Sequence, residues 1–228
     1  MQSIFISELG LNHGGSLSKA FRMIDLSKTA GATICKFQHY DALDVLGKDH
    51  PALDYAASCQ FTRQEHEALK KHCDKIGIEY LVSVFDIKDI EWAASLCKRM
   101  KVASRMNQNL EFLSYIDRTK LPVIMSIQPE FNLRKTYRDR WYFMWCVRQY
   151  PAMYQEVMNF PFSYKYGLSS HCPDWNVIPD AFDKGARIFE SHVCESRKEI
   201  GCDISSSLTF EELKKAVDSV KAKSLERV

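Results

Sequence analysis

ELGLNHGGSLSKAFRMIDLSKTAGATICKFQHY, residues 8–40, follows the apolar run Ile4-Phe5-Ile6 and completes a βαβ unit with it. The first strand ends in Glu8, with Asn12 and His13 just beyond it, and Gly14-Gly15 then turns the chain. Leu17, Ala20, Phe21 and Ile24 recur at i, i+3, i+4 and i+7, the spacing of one helix face. Gly31 stands where a helix C-terminus is expected. A second strand, Thr33 to Phe37, follows and brings Lys36, Gln38 and His39 to its end. Chargeable side chains therefore stand at the ends of both strands.

The same alternation continues downstream. Residues 41–58, rich in Asp and interrupted by Pro51, predict a long loop. Thr62 to Glu65 forms a capping box that opens a helix running to about Lys75 and closed by Gly77. Tyr80–Val84 is a third strand, and Asp86 caps a helix that turns Ile87, Ile90, Ala94 and Cys97 inward. Lys101–Ser104 is a fourth strand, followed by a helix through Leu110, Leu113 and Ile116, and Pro122–Ser126 is a fifth. A short helix is predicted within 131–139, a sixth strand at Trp141–Val147, and at most one or two helical turns within 151–163. Tyr166–Ser170 is a seventh strand with a helix near Val177–Asp183, and Arg187–His192 is an eighth. A loop through Asp203 leads to a helix whose capping box is Thr209 to Glu212 and whose core face is Leu213, Ala216, Val217 and Val220.

Strands alternating with helices imply a parallel α/β fold. Glu8, Lys36, Ser83, Ser104, Ser126, Arg148, Ser169 and Glu190 all fall at the C-terminal ends of strands. A doubly wound sheet needs polar residues only near its switch point, whereas a barrel gathers every strand end at one mouth. The expectation is one domain over 1–228, a compact (β/α)8 TIM barrel. Net charge of +2 gives no electrostatic case for nucleic acid or membrane as partner. The eight cysteines are dispersed without a CxxC pair, which predicts reduced, buried thiols and a cytoplasmic location.

The segments ELGLNHGGSL and AGATICKFQ resemble the sialic acid synthase barrel, whose patterns read E-I-G-x-N-H-x-G and A-G-A-x-x-x-K-x-Q. His171 in SSHCPD and His192 in ESHVCE end adjacent strands, where neutral imidazoles suit Mn, Fe, Co or Zn. Spacing alone leaves open one packed and one solvated histidine. The resemblance implies that both bind a divalent metal, Mn²⁺ first, with Mg²⁺ or Co²⁺ as alternatives. It implies further that Lys36, Lys101, Ser104, Ser126 and Ser169 hold phosphoenolpyruvate, that Ser83 and Arg148 also bind substrate, and that Glu8 stands near the reacting carbon. Gln38, Tyr150 from QYP and Asp203 from GCD match positions that hold the acceptor sugar. Read singly, each Ser is more often a cap and Tyr150 a packing residue.

Four features depart from the family pattern. K-I-x-S-G-E is here Lys101-Val-Ala-Ser-Arg-Met106, so the sugar-contacting glutamate is absent. Arg148 replaces an asparagine, and Ser170 replaces the aspartate before the first histidine. The sequence ends after its last helix, so the family's C-terminal antifreeze-like domain is expected to be missing, with a homodimer or a separate lid-domain protein as possible partner. Arg105 and Arg148 suit an acceptor that bears phosphate or carboxylate. The implied reaction is condensation of phosphoenolpyruvate with an aldehyde sugar, N-acetylmannosamine or a related, anionic one, to a 2-keto-3-deoxy acid. Two other readings fit the same residues: a non-catalytic homologue binding a metabolite or partner subunit, and another metal-dependent barrel lyase or hydrolase.

Overall fold

A computed structural model describes residues 3–128 and 139–226. The elements run β1 (Ile4–Glu8), α1 (Leu17–Thr29), β2 (Ile34–His39), α2 (Ala42–Leu46), α3 (Leu53–Ser58), α4 (Arg63–Ile76) and β3 (Glu79–Val84). Next come α5 (Ile90–Leu96), β4 (Met100–Val102), α6 (Leu110–Arg118), β5 (Val123–Ile127), β6 (Trp141–Cys146) and α7 (Tyr154–Met158). The chain finishes with β7 (Tyr166–Ser170), α8 (Val177–Asp183), β8 (Ile188–Cys194), β9 (Leu208–Thr209) and α9 (Phe210–Leu225). Strands β1 to β8 pair in parallel in chain order, and β1 pairs again with β8, which closes the (β/α)8 barrel.

Alternation along β1 shows how the barrel sorts its residues. The Ser7 hydroxyl meets that of Ser27 on α1 at 2.7 Å, so Ile4, Ile6 and Glu8 point the other way, into the barrel. In β8 the same rule puts Ile188, Glu190 and His192 inside, because they pair with Ile4, Ile6 and Glu8. Interior layers are therefore apolar low in the barrel and ionisable at its C-terminal rim. Outside, α4 buries His66, Leu69 and Cys73, and α9 buries Phe210, Leu213, Ala216, Val217 and Val220. Each large apolar side chain so buried contributes about 1.5–3 kcal/mol. Both predicted capping boxes form, Thr62 with Glu65 and Thr209 with Glu212.

Several boundaries differ from the sequence reading. The stretch 41–58 holds two short helices rather than a plain loop, with the Asp41 side chain capping α2. Asp86 caps a single 3₁₀ turn, and α5 begins only at Ile90, burying Ile90 and Ala93. The fourth strand stops at Val102, the second reaches His39, and β8 runs on to Cys194. Strand β9, which pairs with β8 at Val193 and Cys194, was not foreseen. The helix predicted within 131–139 falls almost wholly outside the described residues. Seven of the eight cysteines are buried free thiols, and Cys202 is exposed. Among the described residues no helix is long and apolar enough to cross a membrane.

Candidate active site

Sheet register assembles the site. Glu8 pairs with both Lys36 of β2 and His192 of β8, Gln38 pairs with Ser83, Ser83 with Lys101, and Ser169 with Glu190. All lie at the C-terminal rim. The centre is a buried group of four charges. Lys36 Nζ donates to Glu8 Oε2 at 2.5 Å and lies 3.9 Å from Glu190 Oε2, while Lys101 Nζ lies 3.6 Å from Glu190 Oε1. Gln38 Nε2 donates to Glu8 Oε1 at 2.7 Å, Ser169 to Glu190 Oε1 at 3.0 Å, and Lys101 to Ser126 Oγ at 2.9 Å.

Burial disfavours charge on Lys36, Lys101 and Glu190, and its balance against the partners decides each outcome. For Lys36, burial would lower the pKa, but Glu190 and Glu8 outweigh it and hold it above the ordinary lysine value. For Lys101, burial prevails over the attraction of Glu190, and the pKa falls. For Glu190, burial would raise the pKa, but Lys101 and Lys36 pull it below the usual carboxylate range. Two buried lysines beside hydroxyls offer donors to an anion at this rim, next to the two carboxylates that now hold them.

His171 and His192 stand side by side with ring centroids 5.6 Å apart. His171 Nδ1 donates to the Val147 carbonyl at 2.6 Å, which leaves the Nε2 lone pair facing the weak Cys146 thiol donor at 3.9 Å. Burial, reinforced by His192, holds its pKa down to about 3, so the ring is neutral at pH 7. Among the described residues His192 Nδ1 is buried without a hydrogen-bond partner, 3.5 Å from Asp203 Oδ2. Two imidazoles, each with one nitrogen that lacks a strong hydrogen-bond partner, fit a divalent cation. Among the described residues no group of three or more His, Cys, Asp or Glu could hold a metal alone, so water or substrate would complete its shell. Gly10 makes the close approach possible: its φ is +48°, and a Cβ there would meet Asp203 Oδ2 at 2.8 Å and His192 Nδ1 at 3.0 Å. Tyr150 stacks on His171 at 3.8 Å.

Above these groups opens a cavity of about 800 Å³, lined by Gln38, Ser104, Arg105, Arg148, Tyr150, His192 and Asp203, with an apolar wall that includes Val45, Leu46, Ala52 and Ala56. The predicted residues thus share one mouth, with Ser83 buried in the rim between Gln38 and Lys101 and its hydroxyl unpartnered. Asn12 and His13, polar at the same rim, are structural. Asn12 donates to the Val193 carbonyl and the Ser207 hydroxyl at 2.8 Å each, and His13 stacks on Phe61 at 4.2 Å. Sequence reasoning noted Glu190 as a strand-end residue but assigned it no role. Its signal is position, two residues before His192 on the same inward face. It missed Asn107 and Gln128 altogether.

Comparison with known proteins agrees with the barrel fold. The chain is 27% identical to the N,N'-diacetyllegionaminic acid synthase of Legionella pneumophila, over 97% of this chain and 72% of that protein. It is 24% identical to the human N-acetylneuraminate-9-phosphate synthase, over 95% of this chain and 68% of that protein. The N-acetylneuraminic acid (sialic acid) synthetase of Leptospira borgpetersenii, solved in complex with citrate, superimposes with a TM-score of 0.85 at 26% identity, over 97% of this chain and 84% of that one. The NeuB family model matches residues 23–226, and the chain belongs to the NeuB family.

Proposed function

We propose that this protein condenses phosphoenolpyruvate with an aldehyde sugar, N-acetylmannosamine or a related one, releasing phosphate and forming a sialic-acid-like 2-keto-3-deoxy acid. The observation that carries the reading is the buried pair Lys36 and Lys101, held by Glu8 and Glu190 near a cavity lined by His192, with His171 beside that ring. That arrangement suits a compact polyanion below and a neutral carbonyl compound above. The names of the Legionella and human relatives support it.

In this reading Lys36, Lys101, Ser83, Ser104, Ser126 and Ser169 donate to the phosphate and carboxylate oxygens of phosphoenolpyruvate and fix its enol carbon toward the cavity. Gln38, Tyr150 and Asp203 orient the sugar. C3 of phosphoenolpyruvate forms a bond to the aldehyde carbon, whose oxygen takes up a proton. Positive charge then develops at C2, where the Glu8 carboxylate, already held by Lys36 and Gln38, counters it. Water adds at C2 and gives up one proton, which balances that taken by the aldehyde oxygen; the C2–O bond to phosphate then breaks, and the remaining hydroxyl proton leaves with the phosphate to give the ketone. His171 and His192 would hold a divalent cation, Mn²⁺ in the first instance, which supplies Lewis-acid polarisation of the aldehyde oxygen.

Thermal unfolding with phosphoenolpyruvate tests the anion site. A ligand at a hundredfold its Kd stabilises by about 2.7 kcal/mol, a rise in Tm of roughly 5–10 °C for a chain of this size. Ser126→Ala and Ser169→Ala should each weaken binding roughly tenfold. A folded wild-type protein whose Tm does not respond would overturn the assignment.

A further inference from the structure

Two guanidinium groups at the barrel mouth have no part in the steps above. Arg105 lies in the turn after β4 and Arg148 just beyond β6, and both line the cavity. Among the described residues neither has a carboxylate within ion-pair distance. Among those residues Arg105 donates only to the Val45 carbonyl at 3.4 Å, and Arg148 only to Gln128 Oε1 at 3.1 Å. The carboxylate of the cavity lining, Asp203, faces His192 instead.

Arg148 is anchored from below. Gln128 is only 3% exposed, and its Oε1 also accepts from Asn107 Nδ2 at 3.0 Å. Asn107 Nδ2 donates in turn to the Ser126 carbonyl at 3.0 Å. Among the described residues, Gln128 Nε2 and Asn107 Oδ1 are both buried without a partner. Buried amides with unmade hydrogen bonds are costly and call for an explanation. A solvated surface arginine needs no such support. An arginine that must present its fork at one place does.

The geometry points to an acceptor with an anionic end, a phosphate or carboxylate, taken by Arg148 and Arg105 in a cavity whose apolar residues Val45, Leu46, Ala52 and Ala56 accept its carbon or acyl substituents. Gln128 and Asn107 are positioning residues for Arg148. This specificity rests on the condensation proposed above. A guanidinium with only neutral partners forms its strongest bonds with an oxyanion. Met106, between Arg105 and Asn107, brings no acidic group to compete.

Calorimetric titration tests this with three probes, N-acetylmannosamine, its 6-phosphate and its uronic acid, each with and without phosphoenolpyruvate and at two salt concentrations. At least one anionic probe should bind the wild type tenfold or more tighter than the neutral sugar, with a preference that shrinks at high salt. Arg148→Gln and Arg105→Gln should abolish the preference while leaving phosphoenolpyruvate affinity within about twofold. Gln128→Glu, close in shape, would tie Arg148 into an ion pair and should remove the preference without changing affinity for the neutral sugar, a split that mere misfolding cannot produce. Gln128→Leu gives a second test of the anchor by the same ratio. Equal affinity for neutral and anionic probes overturns the proposal. So does an Arg148→Gln variant that loses phosphoenolpyruvate as much as the sugar anion, since Arg148 would then serve the first substrate. If the wild type binds no phosphoenolpyruvate, the condensation reading fails, but an anion preference lost in Arg148→Gln still upholds the subsite.

Discussion

Acidification from pH 7 to pH 5 should remove about 4 kcal/mol of stability through His13 and His66 alone. His66 has no exposed surface; its Nδ1 pairs with the Tyr80 hydroxyl at 2.8 Å, and its Nε2 has no partner. Its ring meets Phe37, Phe61 and Trp92 edge-on. Burial, with His39 and His13 opposing a further positive charge, holds its pKa down to about 3. Burial likewise holds His13 down to about 4. In the unfolded chain each takes up a proton near 6.5, while the folded protein keeps both neutral until well below that. The unfolded state therefore binds more protons in this window, so stability is full above pH 6.5 and is lost as pH falls toward the folded values. Each full pH unit costs about 1.4 kcal/mol per histidine, which gives about 2 kcal/mol for each at pH 5. Urea unfolding of wild type and His66→Gln at several pH values measures it. The variant, neutral throughout, should lose about 2 kcal/mol less than wild type between pH 7 and pH 5. Parallel pH profiles would refute the reasoning.

Glu190→Gln leaves Lys101 without a carboxylate partner and Lys36 with Glu8 alone, and should cost about 3–5 kcal/mol in chemical denaturation. A loss under about 1 kcal/mol would mean that the buried lysines are already neutral. Gly10→Ala forces a Cβ into the Asp203–His192 contact at positive φ and should destabilise by about 1–3 kcal/mol while weakening Mn²⁺ binding, read by Tm and titration. Mn²⁺ should raise the Tm of wild type and leave a His171→Ala/His192→Ala double variant unchanged. An equal rise in both would place the cation elsewhere.

Much of the barrel can be read from local pattern, because a βα unit carries its own periodicities: Leu17, Ala20, Phe21 and Ile24 on α1, and the capping boxes at Thr62 and Thr209. Helices α2 and α3 escaped notice because five or six residues are too short to show a helical period among Asp, Gly and Pro. The site follows a similar division. Glu8, Lys36, His171 and His192 are visible as strand-end residues, and register does the rest. What stayed hidden depends on side-chain reach across distant elements. Asn12 looks like a site residue until its amide is seen tying Val193 to Ser207. Gln128 looks like a loop residue until Asn107 and Arg148 are found on its oxygen. Glu190 lies two positions from His192, yet its importance comes from Lys36 and Lys101, which are far away in sequence.

The central claim is carbon–carbon bond formation that consumes phosphoenolpyruvate, and one assay addresses it directly. Purified protein with Mn²⁺, phosphoenolpyruvate and each of a panel of neutral and anionic aldehyde sugars would be followed for inorganic phosphate and for the 2-keto acid by mass. The account predicts phosphate and keto acid in equal amounts with one sugar class, and neither with Glu8→Ala or His171→Ala. Phosphoenolpyruvate bound but no keto acid from any sugar of the panel, in a folded protein, would contradict it.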